Sequence, residues 1–197
     1  MVEQQTGGVA TELVELQNPA GVSPARIDRI VLTGFMGAGK TTVGNLLGER
    51  LGWRFVDVDA QIEGTAGSSI AELFAERGEP WFRQLEHETI QQLLEADCLV
   101  LALGGGAIED ERTRSLLLNL PGTQLIHLEA SLETILDRCR GTEDLRPILQ
   151  DSANLEGRYL KRLPLYRQAH LTLAVDSIHP GAAVEAILNH LGIPQAR

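Results

Sequence analysis

Eight consecutive residues, Gly34-Phe-Met-Gly-Ala-Gly-Lys40-Thr41, narrow the possible folds more than any other part of this chain. They match G-x-x-x-x-G-K-[ST], follow directly on the apolar run Arg29-Ile-Val-Leu-Thr-Gly34, and open a segment where Val43, Leu46, Leu47, Arg50 and Leu51 recur at helical spacing. A strand, a glycine-rich turn and a helix in that order can wrap a phosphate. The glycines let successive backbone N–H groups point inward, and the helix start adds partial positive charge. Gly37, Ala38, Gly39 and Thr42 then belong to the phosphate cradle, Lys40 reaches the β- and γ-phosphates, and the Thr41 hydroxyl is placed to ligate Mg²⁺. The chain is expected to bind ATP or GTP.

Four further apolar runs have strand length: Trp53–Asp59, Cys98–Gly105, Gln124–Glu129 and Leu171–Asp176. Helical periodicity lies between them, as in Phe82, Leu85, Thr89, Ile90, Leu93 and Leu94. Ser69 followed by Glu72 has the form of a capping box, and Pro80 suits a first helical turn. Strand alternating with helix predicts an α/β fold, a parallel sheet covered by helices on both faces, with ligands bound beyond the carboxyl ends of the strands.

The 197 residues suit one domain. Residues 1–27, with Asn18-Pro19 and Ser23-Pro24 interrupting any helix, are read as a poorly ordered extension, and 28–193 as the domain. A formal charge of -10 argues against broad attraction to nucleic acid or anionic lipid, and no apolar run approaches the roughly 20 residues that span a bilayer. Two cysteines suit a reducing compartment, with Cys98 expected to be buried in its apolar run. The first residues lack the marks of a signal or transit peptide, which points to the cytoplasm. His87, His127, His170, His179 and His190 show no metal spacing and are read as structural or solvated.

The acceptor must be chosen by residues after the other strands. Asp57 and Asp59 close the second strand, and period-2 geometry points both carboxylates to the same side of it, so that one can hold Mg²⁺ through water and the other can meet a substrate hydroxyl or take its proton. Arg83 offers a planar fork for a carboxylate, or else pairs with Glu79 or Glu86 on its own helix. Gly104, Gly105 and Gly106 let a ligand approach the backbone at the end of the third strand. The Gly-, Pro- and charge-containing segment 140–152 has the composition of a lid, with Arg146 able to close on the γ-phosphate, and Arg162, Tyr166 and Arg167 fall on or beside one helix in which Pro164 kinks the chain or starts a turn.

The ordered set GFMGAGKTTVG, FVDVDAQIE, FRQLE, LALGGGA, LRPIL and RLPLYR, between Ile30 and Leu191, resembles the shikimate kinase family. The resemblance implies a P-loop NTPase-type three-layer α/β/α fold with a five-stranded parallel sheet, related to nucleoside monophosphate kinases. It implies a monomer that transfers the ATP γ-phosphate to the 3-hydroxyl of shikimate in aromatic amino acid biosynthesis. Asp59, Arg83, Arg162 and the backbone at Gly104, Gly105 and Gly106 would hold shikimate, Thr41 and Asp57 would serve Mg²⁺, and Lys40 and Arg146 would act on the transferring phosphate. Asp59 would act as the base or orient the hydroxyl. Adenine would stack between Pro180 and an arginine, either Arg138 or Arg140, because the segment from Arg138 to Arg146 is slightly longer than in many members. The lid also has R-P-I-L where many members have R-P-L-L, a volume-conserving change. A gluconate kinase and a noncatalytic nucleotide-binding paralogue are the alternatives.

Overall fold

In the computed structural model, which describes residues 26–140 and 152–193, the strand before the glycine loop is the centre of the sheet. This β1 (Arg29–Thr33) pairs in parallel with β3 (Leu99–Ala102) on one side and β4 (Thr123–Glu129) on the other, while β2 (Arg54–Asp57) and β5 (Leu171–Ala174) form the edges. The order is β2-β3-β1-β4-β5. Ile30, Val31 and Leu32 are all fully buried, as a central parallel strand covered on both faces requires. Every pairing is parallel, so the carboxyl ends share one edge. The register sets Asp57 beside Ala102 and Ala102 beside Leu32, and the loops that follow all three strands leave the sheet together. The chain steps from β1 outward to β2, then from β3 across β1 to β4, opening a crevice where the loops after β1 and β3 part.

Helix α1 (Lys40–Leu51) buries Val43, Gly44, Leu47 and Gly48, and packs against β2, β3 and the final helix. Its buried face includes two glycines because Phe55 lies directly over them: a methyl group at Gly48 would meet Phe55 Cβ at 3.1 Å. Leu46 and Leu51 are only partly buried, and Arg50 pairs with Glu185. Next come α2 (Val58–Ala66), α3 (Ile70–Arg77) and α4 (Glu79–Leu93), then a single 3-10 turn (Ala107–Glu109), α5 (Glu111–Asn119) and α6 (Leu132–Cys139). The last two helices are α7 (Ser152–Tyr166) and α8 (Pro180–His190). Helix α7 runs through Pro164 rather than stopping there. Among the described residues no helix is long and apolar enough to cross a membrane.

Two expectations fail for local reasons. The second strand stops at Asp57, because the Asp57 side chain turns to cap α2, so Asp59 lies in a helix and not on the strand. Cys98 is exposed, in a left-handed conformation at φ 55°, and strand β3 begins one residue later. Its carbonyl still accepts from Arg54 N at 3.0 Å, so the apolar run is continuous in pairing while its first side chain turns outward. The histidines mostly make structural hydrogen bonds. His87 Nδ1 meets Thr113 Oγ1 at 2.9 Å, His170 Nδ1 accepts from Leu125 N at 3.0 Å, and His179 caps α8 through Gly181 N at 3.1 Å.

The capping box that opens α3 is formed. Ser69 Oγ accepts from Glu72 N at 3.3 Å while Glu72 accepts from Ser69 N at 2.8 Å. Replacing Ser69 by Ala is expected to cost about 1 kcal/mol, a fall in Tm of about 2–4 °C in a chain of this size, measured by thermal unfolding. A Tm unchanged within 1 °C, roughly the error of such a scan, would show that the cap contributes nothing to the global unfolding unit.

Candidate active site

The glycine loop closes on the start of α1. Gly39, the N-cap, has φ 95°, a left-handed value that a side chain would oppose, and its carbonyl accepts from Val43 N at 2.9 Å. Ala38 is buried, with its N–H donating to Phe35 O at 3.3 Å. Lys40 folds back over its own loop and donates to Gly34 O at 2.8 Å and Phe35 O at 3.0 Å. Thr41 Oγ1 donates to Asp57 Oδ2 at 2.8 Å, while Asp57 Oδ1 accepts from Asp59 N at 3.2 Å and Ala60 N at 3.4 Å. One carboxylate therefore serves the loop and a helix at once.

Asp57 and Asp59 consequently do not form the strand-borne pair expected from period-2 geometry. Asp59 sits in the first turn of α2 and points at Gly104, where an added methyl group would collide with its carboxylate and meet Glu86 Oε1 at 3.0 Å. Burial, and then the nearby Asp57 charge, push the Asp59 carboxyl above its usual range, with Lys40 pulling it down. Gly106 has the same logic, since a methyl group there would collide with the Arg83 guanidinium. The triple glycine lets the protein's own charged side chains come up against the backbone. Gly105 lies between, and its carbonyl accepts from the Tyr166 hydroxyl, a phenol that burial pushes up and so keeps protonated.

Arg83 is held on both sides by its own helix. Nη1 donates to Glu86 Oε2 at 2.6 Å, and Nε and Nη2 donate to Glu79 Oε1 at 3.4 and 3.2 Å. The Glu86 side chain is 2% exposed and that of Glu79 is 63% exposed. Arg162 is also held: Nε and Nη2 donate to Glu109 Oε2 at 2.9 and 2.8 Å, and its guanidinium lies 5.8 Å from the centre of the Phe35 ring. Arg138 reaches from the end of α6 to Gly37 O at 3.5 Å and Val175 O at 2.5 Å. Arg140 instead pairs with Asp137 at 2.7 Å and its side chain is 80% exposed.

A cavity of about 730 Å³ opens at the carboxyl ends of the strands. Gly37, Gly39, Lys40, Thr41 and Thr42 line it from the glycine loop, Asp57 and Asp59 from the end of β2 and α2. Gly105, Gly106 and Arg162 line it as well, as do Arg138 and Cys139. Ala38, Arg83, Gly104 and Pro180 are not part of its wall; Arg83 stands against Gly106, and Pro180 is the first residue of α8. Arg146 and almost all of the segment 140–152 lie outside the described residues.

A family model described as shikimate kinase matches residues 36–192. The chain belongs to the shikimate kinase family. A shikimate kinase from Persephonella marina is 40% identical over 164 residues, which are 82% of this chain and 98% of that one. Among solved structures, a shikimate kinase from Acinetobacter baumannii in complex with shikimate superposes with a TM-score of 0.78 at 35% identity, covering 85% of this chain and 94% of that one. A gluconokinase from Sinorhizobium meliloti shares the fold alone, with a TM-score of 0.55 at 19% identity over 85% of this chain and 93% of that one. The three-layer α/β architecture and five-stranded parallel sheet expected from the motifs are those of this kinase family.

Three residues around this shikimate kinase site are poorly marked in the sequence. Glu86 is visible only as a charge one helical turn from Arg83, Tyr166 as an aromatic beside two arginines, and Glu109 not at all, because its partner is 53 residues away. Glu86 also has a pH signature. Burial pushes its carboxyl from an ordinary 4.5 up to about 7, with the Arg83 charge opposing. A carboxyl raised in the folded state adds stability that is complete below about 4.5 and lost as pH rises through about 7. The Tm of Glu86→Gln is therefore expected to gain on that of the parent protein between about pH 5 and pH 8. A constant difference over that range would mean that Glu86 does not take up a proton there.

Proposed function

We propose that the chain transfers the γ-phosphate of ATP to the 3-hydroxyl of shikimate, giving shikimate 3-phosphate. One observation carries this: the glycine loop with Lys40 and the Arg162 side chain line a single cavity. A polyphosphate anion and a small anionic acceptor can then meet between them. Phosphoryl transfer asks mainly for positioning and charge stabilisation, and this site supplies both.

The N–H groups of Gly37 and of Gly39 to Thr42 cradle the phosphates at the start of α1. Lys40 exchanges the carbonyls of Gly34 and Phe35 for phosphate oxygens, a stronger charge-assisted pairing. Thr41 and Asp57 present a hydroxyl and a carboxylate side by side on the cavity, hard oxygen donors that suit Mg²⁺, an ion that keeps most of its waters and takes few protein ligands. Bound there, Mg²⁺ would neutralise charge on the phosphates. Among the described residues no cluster of three or more His, Cys, Asp or Glu side chains offers an all-protein metal cage, which agrees with so sparse a site.

Arg162 and the backbone at Gly105 and Gly106 take the acceptor's carboxylate side. Arg83 joins them by exchanging Glu79, the exposed member of its two carboxylate partners, for the incoming carboxylate, with Glu86 staying in place. Asp59, half-buried and with its carboxyl raised, orients the 3-hydroxyl and takes its proton as the bond to phosphorus forms. Arg138 and Pro180 flank the adenine.

ADP formation from MgATP is expected to depend on shikimate and not on gluconate. Release that gluconate supports equally would sink the acceptor assignment. Lys40→Ala is expected to lower kcat by about 100-fold or more, because its contact strengthens as charge develops. A near-normal kcat would remove it from the chemistry. Arg83→Ala and Arg162→Ala are each expected to raise the KM for shikimate by about 10-fold or more, with the KM for ATP within about 2-fold. Equal damage to both constants would show that they do not hold the acceptor.

A further inference from the structure

Arg162 has a long, flexible side chain, and it is 8% exposed in the wall of the cavity. Two groups bear on its direction, the Glu109 carboxylate and the Tyr166 hydroxyl. Glu109, the last residue of the 3-10 turn that follows the triple glycine, takes both Nε and Nη2 on one oxygen, Oε2, at 2.9 and 2.8 Å. Its other oxygen, Oε1, takes Lys161 Nζ at 3.0 Å. With one edge of the guanidinium anchored, Nη1 is carried to Gly105, where an added methyl group would lie 3.7 Å from it. The Phe35 ring under the guanidinium plane removes the remaining freedom.

We propose that Glu109 is a positioning residue for the acceptor: by holding the Nε–Nη2 edge of Arg162 it aims Nη1 into the cavity, where an anionic group of the substrate is received. This rests on Arg162 being a ligand of that group. A carboxylate next to a carboxylate-binding arginine would ordinarily weaken the site, since like charges oppose each other. Here Lys161 offsets that cost. One negative charge lies between two positive ones, so the locus keeps a net positive charge while gaining a fixed direction. Burial raises the Glu109 carboxyl, but Lys161 and Arg162 more than reverse this, and it stays ionised at neutral pH.

Positioning and competition predict opposite signs. If Glu109 merely competes for Arg162, removing it strengthens substrate binding; if it aims Arg162, removing it weakens binding. The experiment measures KM for shikimate and for ATP, with the full chain, in Glu109→Ala, Glu109→Met, Glu109→Gln, Arg162→Ala and the double variant Glu109→Ala/Arg162→Ala. Glu109→Ala is expected to raise the KM for shikimate by about 10-fold with little change for ATP, the loss of an oriented charge-assisted pair. Glu109→Met, which fills the space without an acceptor, is expected to match it and serves if the alanine variant does not fold. Glu109→Gln keeps one acceptor oxygen and is expected to recover most of the loss. In the Arg162→Ala background the Glu109 change is expected to add less than about 2-fold, since residues that act through one another are not additive. A KM for shikimate that falls or stays level in Glu109→Ala and Glu109→Met, while Arg162→Ala raises it, overturns the role of Glu109 alone. A KM that is normal in Arg162→Ala overturns the ligand role of Arg162 and this inference with it. A Glu109 effect that persists undiminished without Arg162 overturns the route through that arginine.

Discussion

The hydrogen bond from Thr41 Oγ1 to Asp57 joins the first turn of α1 to the end of β2, and most of the cavity depends on it. Asp57 caps α2 with its second oxygen, so β2 must stop where it does and α2 must leave at a fixed angle. That departure carries Asp59 under Gly104 and toward the loop after β3. A shorter side chain at 57 would have to give up one of the two attachments.

Around this frame the cations of an acidic chain are gathered and then individually restrained. Arg83 is held by Glu86 and Glu79, Arg162 by Glu109, Arg138 by backbone carbonyls, and Lys40 by the carbonyls of its own loop. Pairs of this kind give little net stability, because desolvation consumes most of the attraction. Their value lies in direction: a guanidinium with one edge fixed presents the other edge at a known angle. The triple glycine serves the same end, since side chains at 104 or 106 would push Asp59 or Arg83 out of place.

What the sequence shows well is local. The glycine loop, the five strand runs, the capping box at Ser69 and Pro80 in the first turn of α4 each depend on neighbours a few residues apart, and all are present. The misreadings come from competition between neighbours. Asp57 and Asp59 read as a strand pair because their alternation is that of a strand, yet a carboxylate followed by free helix N–H groups favours capping over extension. Cys98 reads as buried from its apolar neighbours, yet the turn before β3 takes its side chain outward. Glu109 was invisible because the residue that gives it meaning is far along the chain, brought near only when α7 lies across the 3-10 turn. Glu79 and Glu86 were visible as partners of Arg83, but the sequence does not say that one is exposed and the other sealed in.

The hydrogen bonds from Lys40 to the carbonyls of Gly34 and Phe35 also act on the glycine loop itself. Amides gathered in one tight turn are a concentration of like partial charges, which tends to spread the turn. The ammonium group laid across the outer carbonyls ties the two ends of the turn together from within the same chain. The cradle is therefore preorganised, and an arriving phosphate meets a shape whose ordering entropy was spent when the protein folded. Binding becomes a trade of hydrogen-bond partners for one cation, a change that needs only a side-chain swing and no rearrangement of the backbone.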